Sequence, residues 1–446
     1  MLDNYDSKLK NELSRRQFLA LSAVTTAGLV TGCATNPVTG KSQLMMISEV
    51  EEIQIDKAYS PEQISIDYGN LQEIQLYNYV SNVGKKLAQN THRTQIPYNF
   101  HTVNAVYVNA YAFPGGTIVA TRGILLSLQS EGALAALLGH ELGHVNARHT
   151  AQQMSKSTLT GALLQGVSVA AGTFGGQLAG QLTGTLGQLG GSAFLASYSR
   201  DNEREADALA MEYMTKAGYG TKGHIELMTM LNNLKDHTPS SFEILFATHP
   251  MSQERFDTSL KMAASSLYKP FEQGPIYPER YMDSTKKLRA IKDPIEKMQK
   301  SMESLSKKNP KEAEKLLKEA LQKVPNDYAG LLLMAKTQEL LGNPTESISY
   351  AEKAKKAYPG EPQAYMATAS GALAKGQFNT AYDNLSQYDQ KLPGNPKVSF
   401  YRGYCLEKTG KNKEAAQFYI NYLNSGAKDQ DAQYAFNRLS SWGYIR

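Results

Sequence analysis

Cysteine is scarce: Cys33 and Cys405 are the only two in 446 residues. If lipid takes the Cys33 thiol, as argued below, Cys405 has no partner and no internal disulfide can form. Stability must then come from apolar cores and bound metal, with Cys405 a small buried hydrophobe in a helix. A strong charge of one sign is also missing. The net charge is +5, and residues 1–32 hold four basic and three acidic side chains, so the rest is near +4. There is no basic stripe interleaved with aromatics, which excludes nucleic acid as a partner. Charge of either sign is absent from residues 157–199, where ten glycines fall. At this length two or more domains are expected.

The first 32 residues read as an export signal. Lys8, Lys10, Arg15 and Arg16 make a basic start. The apolar stretch Phe18 to Val30 is too short and too rich in Thr and Gly for a membrane span. Ser14-Arg15-Arg16-Gln17-Phe18-Leu19 looks like a twin-arginine signal, although the ordinary secretion route stays open. Val30-Thr31-Gly32-Cys33 looks like a lipoprotein cleavage box, with Cys33 left to carry the lipid; the alternative is an uncleaved anchor. The expected location is the periplasm, lipid-anchored. Ala34 follows the cysteine in place of the Asp often linked to inner-membrane retention, which favours the inner face of the outer membrane.

The C-terminal part repeats. Pro325, Pro359 and Pro393 are spaced by 34, as are Gly342, Gly376 and Gly410. Ala313, Ala381 and Ala415 fall on the same lattice, with Ser347 in the missing place. A period of 34 with a mid-repeat Gly and an end Pro resembles tetratricopeptide repeats. Each unit is two antiparallel helices, and stacked units leave a groove that binds other proteins. A purely structural helical cap is the alternative. The organisation expected is an export signal (1–32), a domain over 33–267 with the uncharged insertion 157–199, a Pro-marked linker (268–290) and repeats (291–446). The Gln and Thr content of the insertion argues against a membrane span. It reads as a lid, or a loop that touches lipid or an unfolded client; a Gly-softened core helix pair is its rival.

The most informative stretch is His140-Glu141-Leu142-Gly143-His144, which ends an apolar helical run from Ala133. Residues i and i+4 share a helix face, so two imidazoles can hold one Zn²⁺, with Glu141 beside them to take a proton from a water activated by the metal. A catalytic zinc wants a third protein ligand. Thr150 stands where one known pattern has a third His, and His149 falls on another face and reads as structural. Glu203 and Asp207 are the better candidates. They are four apart on a second amphipathic helix, and an Asp one turn from a ligand Glu can fix a ligand His. A plain acidic helix start would give the same spacing. Glu205 points elsewhere and reads as solvated.

These residues resemble the M48 zinc metallopeptidases. The likeness rests on His140 to His144, Ser199-Arg200 with Glu203 and Asp207, Thr248-His249-Pro250, Asn36-Pro37-Val38-Thr39-Gly40, and Asn109-Ala110-Tyr111-Ala112-Phe113-Pro114-Gly115-Gly116. It covers roughly residues 33 to 265. It implies a mostly α, gluzincin-like peptidase domain with a small β-sheet, followed by an α-solenoid of repeats. It implies one Zn²⁺ per chain on His140, His144 and Glu203, with Glu141 as base and Asp207 behind a ligand. It places Asn109, Ala110, Tyr111, Ala112 and Phe113 near the substrate cleft, as an edge strand that pairs with an extended peptide. His249 becomes either an oxyanion donor or a fourth zinc ligand that keeps the enzyme latent. With repeats attached, the chain is similar to periplasmic members that act in outer-membrane protein quality control. The implied partners are unfolded or partly assembled protein substrates and a protein in the repeat groove, such as outer-membrane assembly machinery. The rival class is a chaperone or assembly scaffold.

Overall fold

A computed structural model describes residues 33–156, 198–235 and 240–445. The export signal (1–32) and nearly all of the uncharged insertion lie outside these residues. The chain opens with a hairpin, β1 (Cys33–Thr35) and β2 (Ser42–Leu44), paired antiparallel. Helices α1 (Glu49–Ile66) and α2 (Ile74–Ala88) follow, then β3 (Asn99–Val103), β4 (Ala110–Ala112) and β5 (Thr117–Thr121). The sheet order is β3-β5-β4: β3 runs parallel to β5 and β4 antiparallel. Helix α3 (Arg122–Ser127) leads to α4 (Glu131–Asn146), whose sixteen residues are all buried. Ser130 starts α4 by accepting a hydrogen bond from the amide of Ala133, a standard N-cap. A helix buried on every side runs through a core, and α4 packs against α2, β4 and the next helices, α5 (Arg200–Lys216) and α6 (Lys222–Leu234).

The segment expected as a linker is a packed part of the fold. After α7 (Glu243–Thr248) and α8 (Gln253–Ala263), residues 268–290 form a short 3-10 turn, α9 (Pro278–Ser284) and α10 (Lys286–Ala290). Tyr281 is fully buried and donates to the Leu125 carbonyl at 2.6 Å. Arg280 pairs with Glu131 at the start of α4. The prolines there mark turns, as expected, but Tyr281 and Leu288 after them are buried in the peptidase core.

The repeats run α11 (Lys292–Ser306), α12 (Pro310–Lys323), α13 (Tyr328–Leu340), α14 (Pro344–Ala357), α15 (Gln363–Ala374), α16 (Phe378–Lys391), α17 (Pro396–Lys408), α18 (Asn412–Asn424) and α19 (Gln430–Ser441). Gly342, Gly376 and Gly410 turn each hairpin with φ of 78°, 69° and 79°, a region that costs other residues strain. Ala313, Ser347, Ala381 and Ala415 are buried where paired helices meet. Cys405 is buried in α17, as expected. The main core is shared: Met298, Leu317, Leu333 and Met334 of the repeats join the cluster built on α2, α4 and the sheet. No helix among the described residues is long and apolar enough to cross a membrane.

Candidate metal centre

The centre forms where α4 and α5 touch. Gly139 and Gly143 permit the contact. A β-carbon on Gly143 would stand 3.0 Å from both Cα and O of Ala206, and one on Gly139 would stand 3.2 Å from Cα of Ala210. The glycine inside the His-Glu-Leu-Gly-His stretch thus lets the two backbones close in. Ser199 and Asn202 cap the start of α5 reciprocally and fix where its first turn begins. Glu203 then projects from that turn toward the histidine pair.

Four donor residues converge: His140, His144, Glu203 and His249 each offer an atom, all within 4.8 Å of one another. His140 Nε2 is 3.0 Å from His144 Nε2 and 3.3 Å from His249 Nδ1. Glu203 lies 3.5 Å from His140 Nε2, 3.4 Å from His144 Nε2 and 3.1 Å from His249 Nδ1. Four ligands held tetrahedrally at about 2.0–2.1 Å stand about 3.4 Å apart, so the set fits a zinc-sized ion. Imidazole and carboxylate donors suit that metal as well.

Outer partners leave the Nε2 atoms facing the centre. His140 Nδ1 meets Asp207 Oδ1 at 3.0 Å, the contact expected from the four-residue spacing. Arg255 grips Asp207 through Nε and Nη2, each at 2.8 Å, and reaches Glu203 Oε2 at 2.6 Å. Burial alone would raise both carboxyls; the neighbouring His249, Arg255 and His140 side chains hold Glu203 well below the usual range, and Arg255 with the His140 hydrogen bond lowers Asp207. His144 Nδ1 meets His149 Nδ1 at 2.9 Å, and His149 Nε2 lies 3.3 Å from Glu205 Oε2. His149 is therefore structural, as expected. Glu205, half-buried, also accepts from Asn36 at 3.1 Å, tying the Asn36–Gly40 turn to α5.

Glu141 is buried, with Oε1 3.7 Å from His249 Nε2 and Oε2 without a hydrogen-bond partner. Burial raises its carboxyl above the ordinary value. A cavity of about 20 Å³ lies against His140, Glu141, His224 and His249, walled by Ile124, Leu137, Leu227 and Met228.

Sequence reasoning missed three residues here. Tyr198 stacks on His144 with ring centroids 3.8 Å apart and planes 19° from parallel. Arg255 braces both acids, and buried His224 lines the cavity. None carries a spacing signal, because each meets the centre only through tertiary packing. Asn109, Ala110, Tyr111, Ala112 and Phe113 are all buried; β4 is an edge strand beside α4, as expected, but these residues do not line the cavity. Tyr111 donates to Asp67, and both side-chain polar atoms of Asn109 lack a partner. Cys33 begins β1.

Residues 75–263 match the family model Peptidase family M48, and residues 304–370 match Tetratricopeptide repeat. The chain carries an M48 peptidase domain followed by tetratricopeptide repeats. The family is zinc-dependent, in agreement with the four-donor cluster. A beta-barrel assembly-enhancing protease of Escherichia coli (strain K12) is 28% identical over 258 residues, 55% of this chain and 51% of that protein. A putative protein of the same description from Vibrio cholerae is 27% identical over 216 residues, 45% of this chain and 41% of that one. Metalloprotease YcaL of E. coli is 28% identical over 53% of this chain and 93% of its own. The chain thus spans about half the length, or less, of the two assembly-enhancing relatives. Among solved structures, MamA aligns with 32% of this chain and 85% of its own at 18% identity, with a TM-score of 0.31.

Proposed function

We propose that this chain is a membrane-tethered periplasmic zinc endopeptidase that cleaves misfolded or stalled outer-membrane proteins. The observation that carries the peptidase reading is the meeting of His140, His144 and Glu203 beside the free Oε2 of Glu141. In this reading those three residues hold one Zn²⁺. Zinc, when bound, polarises the scissile carbonyl and lowers the pKa of water toward about 7. Glu141 accepts the proton of the attacking water and returns it to the leaving amine. Asp207, held by Arg255, keeps the His140 ring turned with Nε2 inward. The tether on Cys33 is supported by the sequence alone, and β-barrel clients by the names of two relatives. The repeats would recruit the client or the assembly machinery.

The test is the Glu141→Gln variant in full-length protein. It should keep stoichiometric zinc and lose cleavage of an unfolded protein; hydrolysis at the wild-type rate would refute the assigned base. A second reading, a chaperone or scaffold with latent proteolysis, is favoured by His249, whose Nδ1 stands among the donors. If His249 seals the fourth position, His249→Ala should speed cleavage. If it is an oxyanion donor, the same variant should slow it.

A further inference from the structure

The seam between peptidase and repeats holds one buried ion pair. Arg122, 3% exposed, donates from Nη1 to Asp327 Oδ2 at 2.6 Å and from Nη2 to Asp327 Oδ1 at 2.9 Å. A two-pronged pair of this kind fixes direction as well as distance. Each partner sits at a structural joint. Asp327 is the N-cap of α13, accepting the Gly330 amide at 2.9 Å, and so sets where that repeat helix starts. Arg122 is the first residue after β5. Its neighbour Thr121 ties β5 to the start of β4: its amide donates to the Asn109 carbonyl at 3.0 Å, and its Oγ1 accepts from the Asn109 amide at 3.1 Å. Two residues further on, Ile124 forms a wall of the cavity at the metal centre. The clamp is therefore one residue from the β4–β5 tie and on the same short helix as that wall.

Around the pair the seam is close-packed. Met298 and Leu333 lie in the same core as Ile124 and Leu137, and Gln299 donates to the Val106 carbonyl at 2.6 Å. A packed interior passes a displacement on instead of absorbing it. We infer that Arg122–Asp327 is a positioning clamp: through it the first repeats set the placement of the β4–β5 edge and of the cavity wall, so the repeats tune turnover and are not only a docking arm. The inference rests on the peptidase reading for its kinetic arm and on structure alone for its second arm.

The experiment compares full-length wild type with Asp327→Asn and Asp327→Glu, using fluorescently labelled casein as substrate. Asparagine still caps a helix, so Asp327→Asn removes the charge and leaves the start of α13 intact. The expected result is kcat down about tenfold with KM within twofold, zinc content unchanged, and partial recovery in Asp327→Glu. In parallel, hydrogen–deuterium exchange of residues 110–121 should rise in Asp327→Asn, a readout that needs no catalysis. Should Asp327→Asn not fold, Arg122→Lys, which keeps the charge and loses the fork, takes its place with the same expectations. A folded variant with wild-type kcat and wild-type exchange at 110–121 overturns the clamp, as does a rate loss matched by zinc loss. If wild type fails to cleave casein while exchange rises as expected, the peptidase reading falls and the clamp stands.

Discussion

In the peptidase half, several buried carboxylates come with cations, while Asp56 and Asp67 take neutral donors instead. Glu52 lies between Arg93 and Arg148, at 2.7 and 3.0 Å; Glu131 meets Arg280; Glu203 and Asp207 share Arg255. The repeats are held differently. Their interior is alanine, leucine and tyrosine, as in the cluster of Ala381, Leu385, Tyr388, Val398 and Cys405, and buried acids are few: Asp327 pairs with Arg122 at the seam, Glu407 with Arg438, and Glu361 accepts from Ser65. Paired buried charges cost desolvation that geometry must offset, so they persist where positions matter more than stability. Apolar packing gives stability in graded amounts and tolerates drift. Substitutions among the paired charges of the first half should therefore change chemistry, and those in the apolar interior of the repeats should change stability.

The sharpest test of that contrast is Glu141→Gln. Losing a general base costs about 10²–10⁴-fold in rate. Thermal unfolding should barely move, since Gln fills the same space. A large drop in Tm with little change in rate would reverse the contrast at its strongest point. The counterpart in the repeats is Leu385→Ala. Leu385 is 1% exposed in α16, and truncating such a residue costs about 2–5 kcal/mol. Denaturant unfolding followed by helical circular dichroism should show the loss, while zinc content stays at one per chain.

What the sequence made legible follows the same divide. Local periodicities carried well: the i, i+4 pairs His140/His144 and Glu203/Asp207, and the 34-residue lattice of prolines and glycines. Each is a property of one helix or one hairpin, so spacing suffices. The contacts that join elements did not carry. Arg255 is 48 residues from Asp207 and Asp327 is 205 from Arg122, and no pattern links such positions. The partners of Glu205 were not foreseen because a helix face tells which residues travel together and not what the next element brings to them. The 268–290 segment was misread because Pro and Gly report turns, whereas Tyr281 and Leu288 are buried by partners far off in the chain.

Glu361 is the exception within the repeats, and it gives a pH test. It lies on a cleft of about 510 Å³ between α1, the sheet and the turns at 358–362 and 391–392, where it accepts a hydrogen bond from Ser65. Burial lifts its carboxyl from 4.5 to about 7. The folded state therefore holds the proton more tightly than the unfolded chain does. That contribution is complete below about pH 4.5 and is lost as pH rises through about 7. The span sets an upper bound of about 3 kcal/mol. Melting at several pH values should show wild type losing stability relative to Glu361→Gln between pH 5 and pH 8 (roughly the titration range). Parallel curves for the two proteins would mean that Glu361 is solvated and titrates alike in the folded and unfolded chain.

The finest probe of the contrast is a single methyl group. Gly143→Ala places a β-carbon 3.0 Å from the α5 backbone at Ala206 and 3.2 Å from Leu209 Cβ. Overpacking of this kind costs about 1–3 kcal/mol. The stability loss is modest, but the direction of the strain matters more. Pushing α5 from α4 carries Glu203 away from His140 and His144, so zinc affinity, measured by competition with a chromogenic chelator, should fall further than stability predicts. If affinity holds while stability drops, the two helices can separate without moving the carboxylate, and the glycine serves packing alone.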